Sequence, residues 1–263
     1  MPSRVPRAFL SVRRFLFVLI LVFFLAALGA AAAWFAVLRP KLTPVERGRR
    51  LAEANGCFAC HGPEGTRGAA NPGRLDRTVP SYRSLMMYAK NRQESLEWIR
   101  DGVTSSRGKS ESWRKERDLG AVRMPAYGKR LTSRQIDDLV AFATAVAGEP
   151  TPEDSLALRG RDRAAELGCV GCHGEGGRFA RPNPGSLKGY VPSWDGPDFP
   201  ELVQDREEFA EWIERGVSRR FETNPAARFF LDRGTLRMPA YKKHIGPGDV
   251  DALWAYVRWL RAK

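Results

Sequence analysis

The feature that most constrains this chain is an internal duplication. Gly48, Cys57, Cys60, His61, Pro72 and Pro80 recur as Gly160, Cys169, Cys172, His173, Pro184 and Pro192 at a constant offset of 112 positions. Further along, Glu97-Trp98-Ile99, Met124-Pro125-Ala126-Tyr127 and Phe142 recur as Glu211-Trp212-Ile213, Met238-Pro239-Ala240-Tyr241 and Tyr256 at an offset of 114. Two residues have therefore been inserted in the second copy. A chain of 263 residues could fill one large core or two small ones. The duplication predicts two domains, at 43–147 and 155–263, joined by a short proline-stiffened linker from Gly148 to Asp154. A solenoid would need shorter and more numerous units.

The N-terminus is of a different kind. Arg4, Arg7, Arg13 and Arg14 precede an uncharged apolar run from Phe15 to Leu38. A helix needs about 20 apolar residues to cross a membrane, and this run exceeds that. The expectation is a basic cytoplasmic segment at 1–14, a transmembrane anchor at 15–38, and everything after Arg39 outside the cytoplasm. A cleaved signal peptide is the competing reading, with Ala31 and Ala33 as its small residues. Trp34 and Phe35 carry the run past that point to an interfacial position and favour a retained anchor. The net charge of +13 does not point to nucleic acid, because the basic residues are scattered among 30 acids. Subtracting the four N-terminal arginines leaves +9 beyond the anchor.

Strand signals are nearly absent from either copy, and helical signals sit at the two ends of each. Val45–Ala54 and Leu158–Leu167 suit short helices running into the cysteine pairs. Glu94–Arg100 and Glu207–Arg215 suit central helices closed by Gly102 and Gly216. Thr132 and Gln135 form a capping box ahead of Ile136, Leu139, Val140 and Phe142, and Pro247 opens the matching helix with Val250, Leu253, Trp254 and Val257. The fold class is mainly α.

The chemistry is concentrated in Cys57-Phe58-Ala59-Cys60-His61 and Cys169-Val170-Gly171-Cys172-His173. On a helical turn, residues at i, i+3 and i+4 share one face, so two thiols and an imidazole can address one planar group. C-x-x-C-H is the attachment signature of c-type haem, and two matches in register strengthen the assignment. A zinc site would need further Cys or His ligands in each domain, and the chain has three histidines in all. A redox C-x-x-C would sit in a βαβ context that these Gly-rich surroundings do not supply.

His61 and His173 provide one axial ligand each. Met124 and Met238 are the methionines that correspond between the copies, and each precedes a proline, which holds it out of helical conformation. They are the expected second ligands. Met86 and Met87 have no counterpart and are assigned to packing or surface. His244 replaces Arg130 of the first copy and reads as a surface residue.

Each copy resembles a class I cytochrome c domain, and the pair is similar to tandem dihaem cytochromes c. The resemblance rests on Gly48 and Gly160, the two C-x-x-C-H motifs, the Trp-Ile pair with its glycine, the Met-Pro pair, and the aromatic of the last helix. It implies two covalently bound haem c groups on Cys57, Cys60, Cys169 and Cys172. It implies that the first and last helices cross, with Gly48 against Phe142 and Gly160 against Tyr256. It also implies a proline carbonyl that orients each ligand histidine, with Pro72 and Pro184 as the nearest candidates. The 20 residues before Arg123, and the equal stretch before Arg237, depart from small family members and suit either a docking surface or a solvated loop.

The function that follows from the resemblance is electron transfer rather than catalysis. His/Met coordination leaves no open position for substrate and raises the reduction potential. The expectation is a single-pass protein of the bacterial cytoplasmic (inner) membrane with its haem domains on the periplasmic side. It would carry single electrons from a quinol-oxidising complex to a periplasmic acceptor or terminal reductase, through redox protein partners with an acidic docking face. One alternative is a respiratory-complex subunit, such as the dihaem subunit of a cbb-type oxidase. Another is an enzyme, a dihaem peroxidase or thiosulfate-oxidising cytochrome. That would require an open iron or a His or Cys distal ligand, and His244 is the one spare candidate.

Overall fold

The computed structural model describes residues 7–38, 41–148 and 150–262. Arg4, Arg39, Glu149 and Lys263 lie outside the described residues. The chain divides into two compact units, Met1–Pro40 and Lys41–Lys263.

The first unit is a helix, Arg7–Leu38. It starts inside the segment expected to be a separate basic stretch, because neither proline nor glycine interrupts the chain between Arg7 and Phe15. Its apolar stretch, Arg14–Ala36, covers 23 residues at a mean hydropathy of 2.9, which is long and apolar enough to cross a membrane. Phe15, Phe23, Trp34 and Phe35 stand exposed along it. A signal sequence near the N-terminus would look the same by length and composition.

The second unit contains both repeats, each built from a leading helix, a cysteine-bearing turn, a central helix and a last helix. The leading helices, Pro44–Ala54 and Ser155–Glu166, begin at Thr43 and Asp154, whose side chains accept from Glu46 N (3.1 Å) and Ala157 N (2.8 Å). The central helices, Arg92–Asp101 and Arg206–Arg215, are capped by Asn91 and Asp205 and end at Gly102 and Gly216 in left-handed conformation (φ 73° and 77°). A side chain there would be strained, which explains the glycines. The last helices are Ser133–Val146, with the capping box of Thr132 and Gln135, and Asp249–Arg261. Pro247 does not open the latter. Gly248 intervenes at φ 80°, a conformation no helix continues, so the first helical residue is Asp249.

Within each repeat the leading and last helices cross in close contact. A Cβ on Gly48 would meet the carbonyl of Asp138 and lie 2.8 Å from Phe142 Cβ. One on Gly160 would meet the carbonyl of Ala252 and lie 2.9 Å from Tyr256 Cβ. The backbones approach at distances only glycine permits, as the resemblance implied.

The two long segments ahead of the Met-Pro pairs are not solvated loops. They hold helices Ser105–Lys109 and Glu111–Leu119 in the first repeat, and Arg219–Glu222 and Pro225–Arg233 in the second. Thr104, Ser110 and Asn224 cap three of them with side-chain oxygens. The sheet structure among the described residues is a two-residue antiparallel pair, Arg181–Pro182 with Tyr190–Val191.

The second repeat's core gathers Trp194, Phe199, Phe209, Ile213, Leu253 and Tyr256. That of the first, around Val45, Leu139, Phe142 and Val146, also contains Phe179 of the second repeat. Each such buried side chain contributes about 1.5–3 kcal/mol relative to exposure.

Candidate functional site

In both repeats a left-handed glycine, Gly56 or Gly168, turns the chain out of the leading helix and into the cysteine motif. Cys57–His61 forms one short helical turn, and Val170–His173 with Cys169 at its cap forms the other. The two thiols and the imidazole of each motif therefore share a face, as the spacing predicts. None of the four cysteines is tied up in a disulfide.

Each imidazole is held by one hydrogen bond. Nδ1 of His61 lies 2.7 Å from the carbonyl of Pro80, and Nδ1 of His173 lies 3.1 Å from that of Pro192. With Nδ1–H donating to the carbonyl, Nε2 keeps its lone pair and a fixed direction, which is what an axial ligand needs. Burial pushes both imidazoles below their ordinary pKa and so favours the neutral form. Pro72 and Pro184, expected to orient the histidines, do something else. Their carbonyls accept from Ala121 N and Thr235 N (both 3.0 Å), close ahead of the methionines. The chain after each histidine folds back on itself, Val79 N donating to Ala69 O at 2.8 Å in the first repeat. The carbonyl that reaches the ring consequently comes from the second proline of the segment and not the first.

The methionine segments are pinned at two points. Buried Asn71 donates Nδ2 to Val122 O and accepts from Val122 N, both at 2.9 Å. Asn183 does the same with Leu236, at 3.0 and 2.8 Å. Beyond the methionine, Tyr127 N donates to Ile99 O (3.0 Å) and Tyr241 N to Ile213 O (2.9 Å), laying the Met-Pro turn over the end of the central helix. The carbonyls of Met124 and Met238 pack where a Cβ on Gly102 or Gly216 would be. The phenols of Tyr82 and Tyr127 stand beside the thiol of Cys57, and that of Tyr241 beside the thiol of Cys169. Burial raises both thiols above their ordinary pKa, so they stand as neutral S–H groups.

In the second repeat these groups converge on one cavity of ≈ 600 Å³, lined by Cys169, Cys172, His173, Met238, Trp212 and Phe230 among others. The volume falls within the range of about 300–1,000 Å³ usual for cofactor pockets. A mostly apolar lining that includes two thiols, an imidazole and a thioether fits a flat macrocycle of the haem c kind. Among the described residues no group of three or more His, Cys, Asp or Glu is placed to hold a bare metal ion.

Residues 45–145 match the cytochrome c family model. That span carries Cys57, Cys60, His61 and Met124, so the first repeat is similar to cytochrome c domains, a class of domain that binds haem c covalently and serves electron transfer. Neither a curated protein nor a solved structure matches the chain.

Outside the site, Met86 and Met87 stand 53% and 77% exposed on a short helix, Leu85–Tyr88, and His244 is exposed with its carbonyl accepting from Arg163 Nη2 at 2.7 Å. The residues that sequence reasoning missed as site components are Asn71, Asn183, Tyr82 and Trp194. The two aromatics pack on the imidazoles, with centroids 4.7 Å apart for Tyr82 and His61 and 5.1 Å for Trp194 and His173. The asparagines recur at the same offset as the prolines that follow them, a signal present in the sequence.

Proposed function

We propose that the chain is a membrane-anchored dihaem cytochrome c that carries single electrons. In this reading Cys57, Cys60, Cys169 and Cys172 form the thioether bonds, and His61 with Met124 and His173 with Met238 are the axial pairs. The helix Arg7–Leu38 holds both haem domains at the periplasmic face of the inner membrane. The electrons would come from a quinol-oxidising complex and leave to a periplasmic acceptor or terminal reductase.

The observation that carries the reading is the convergence of Cys169, Cys172, His173 and Met238 on one apolar cavity, in the copy that lies beyond the matched family span. Haem c supplies a one-electron iron couple. The chain's own part is positional. The proline carbonyls fix the imidazole plane, the asparagine clamps and tyrosine amides fix the methionine turn, and the mostly apolar walls would shield a bound haem from water. With a histidine and a methionine both taken up as ligands no position would stay open, which would favour electron transfer over peroxide or thiosulfate chemistry.

The test is haem content. Protein purified from membranes is expected to carry two haems per chain that survive acid-acetone extraction, with two sulfur-to-iron absorption features, one lost in Met124→Ala and the other in Met238→Ala. One haem per chain, or haem that extracts, would overturn the two-site reading. The partner is proposed to present an acidic face to a region of net positive charge, so transfer to it is expected to slow as salt rises. The basic helices at 105–119 contribute less than their charge count suggests. Lys115 pairs with Glu111 at 2.8 Å, Arg117 with Asp118 at 2.8 Å, and Arg107 lies over the rings of Tyr88 and Trp98.

A further inference from the structure

The seam between the two repeats contains the turns that follow both iron-binding histidines. The turn Glu175–Gly177, directly after His173, packs on the last helix of the first repeat. Glu64, in the turn after His61, accepts from Arg181 Nη1 at 2.9 Å, and Arg83 reaches Glu175 at 3.3 Å. Glu64 Oε2 and Arg181 Nε are buried at this contact.

One side chain crosses this seam deeply. Phe179 belongs to the second repeat, where its N–H donates to the carbonyl of His173 at 3.1 Å. Its ring belongs to the first. It is fully buried against Phe142, itself fully buried, with centroids 5.2 Å apart. Phe142 meets Tyr82 edge-on at 5.8 Å, and Tyr82 lies 4.7 Å from the imidazole of His61. An unbroken file of packed rings thus runs from the histidine of one site to the residue hydrogen-bonded to the histidine of the other. The position is particular to the second copy, because the residue at the same register in the first is Arg67.

We infer that Phe179 couples the two iron sites, so that electrons pass between the repeats across this seam on their histidine sides. The inference rests on the reading that both repeats hold haem. The step is one electron leaving a ferrous iron and reducing the ferric iron of the other repeat, with no bond made or broken and no proton moved. Tunnelling falls off steeply across gaps, and the packed rings of Phe179 and Phe142, both fully buried, leave none between them. Phe179 is a positioning and bridging residue, not a ligand.

The experiment is flash photoreduction of the oxidised full-length protein, following the concentration-independent phase in which the electron redistributes between haems. Phe179→Ala, which opens a gap, is expected to slow that phase by an order of magnitude. Phe179→Leu, which restores most of the volume and keeps the fold if the alanine does not, is expected to slow it less. Both variants should retain two haems, both sulfur-to-iron features, both reduction potentials and the bimolecular rate with a small reductant. With those features kept, a redistribution rate unchanged in the variants overturns the inference while leaving the two-haem reading intact. One haem per chain in the unaltered protein removes both.

Discussion

The two repeats agree around their Cys-x-x-Cys-His and Met-Pro motifs and differ in how they close their cores. Both cross their outer helices at a glycine, bond the histidine to the second proline's carbonyl, and clamp the methionine segment with a buried asparagine. The second repeat fills its own interior. At the head of the short helix Phe199–Leu202 it buries Phe199 to 6% exposure, where the first has half-buried Leu85 heading Leu85–Tyr88. The two-residue insertion falls just before that helix, where buried Asp198 accepts from Lys188 at 2.9 Å and from Tyr190. The first repeat instead borrows Phe179. Duplication has preserved the scaffold around the histidine and methionine segments and left the packing free to specialise, so that one copy leans on the other.

The largest expected effect tests that dependence. Phe142→Ala removes the ring that touches Phe58, Tyr82 and Phe179 together, and should cost about 3–5 kcal/mol because the cavity it leaves opens on both repeats. Hydrogen exchange of the backbone amides, read separately in each repeat, is expected to show both repeats losing stability. If only the first repeat is affected, the seam is not shared structure.

A smaller and symmetric effect is expected at the helix crossings. Gly48→Ala and Gly160→Ala each drive a methyl group into a backbone carbonyl, of Asp138 or Ala252, at about 1–3 kcal/mol or somewhat more if the helices cannot part. Denaturant titration of the two variants should give similar losses. A marked difference would mean that the two crossings are not equivalent and that the comparison fails at its best-matched point.

Much of this was legible in the sequence, and the exceptions have physical causes. The helices, the capping box at Thr132, the left-handed glycines after the central helices and the glycine crossings follow from local chemistry. The histidine-orienting carbonyl did not follow, because Pro72 and Pro80 both recur at the same offset and periodicity cannot say which one the returning chain brings to the ring. Helices at 105–119 and 219–233 were hidden because they are short, basic and bury little, although Thr104, Ser110 and Asn224 mark their starts. Phe179 was invisible to repeat logic for the opposite reason: it contributes to the fold at a position where the copies differ.

The smallest effect separates the starts of the two last helices. In the first repeat the position three residues into the cap is Gln135, which is uncharged at every pH. Its counterpart is Asp249, whose carboxylate accepts from Gly246 N and Arg163 Nε, each at 2.9 Å. The Gly246 amide, reinforced by the Arg163 guanidinium and opposed by partial burial, holds this carboxyl below its ordinary pKa. A group whose folded pKa is depressed contributes stability that is fully present above its unfolded value and is lost as pH falls through the folded one. Asp249→Asn should therefore cost about 0.5–1 kcal/mol at neutral pH, where a carboxylate at a helix start is favoured, and nothing in strong acid, where the native residue is protonated. Gln135→Ala should cost a similar amount that does not change with pH. The check is chemical denaturation of each variant against the unaltered protein at a series of pH values from neutral to the acid side of the carboxylate range. If the Asp249→Asn difference stays constant across that range, the carboxylate is not what holds the second helix start, and the two repeats begin their last helices by the same means after all.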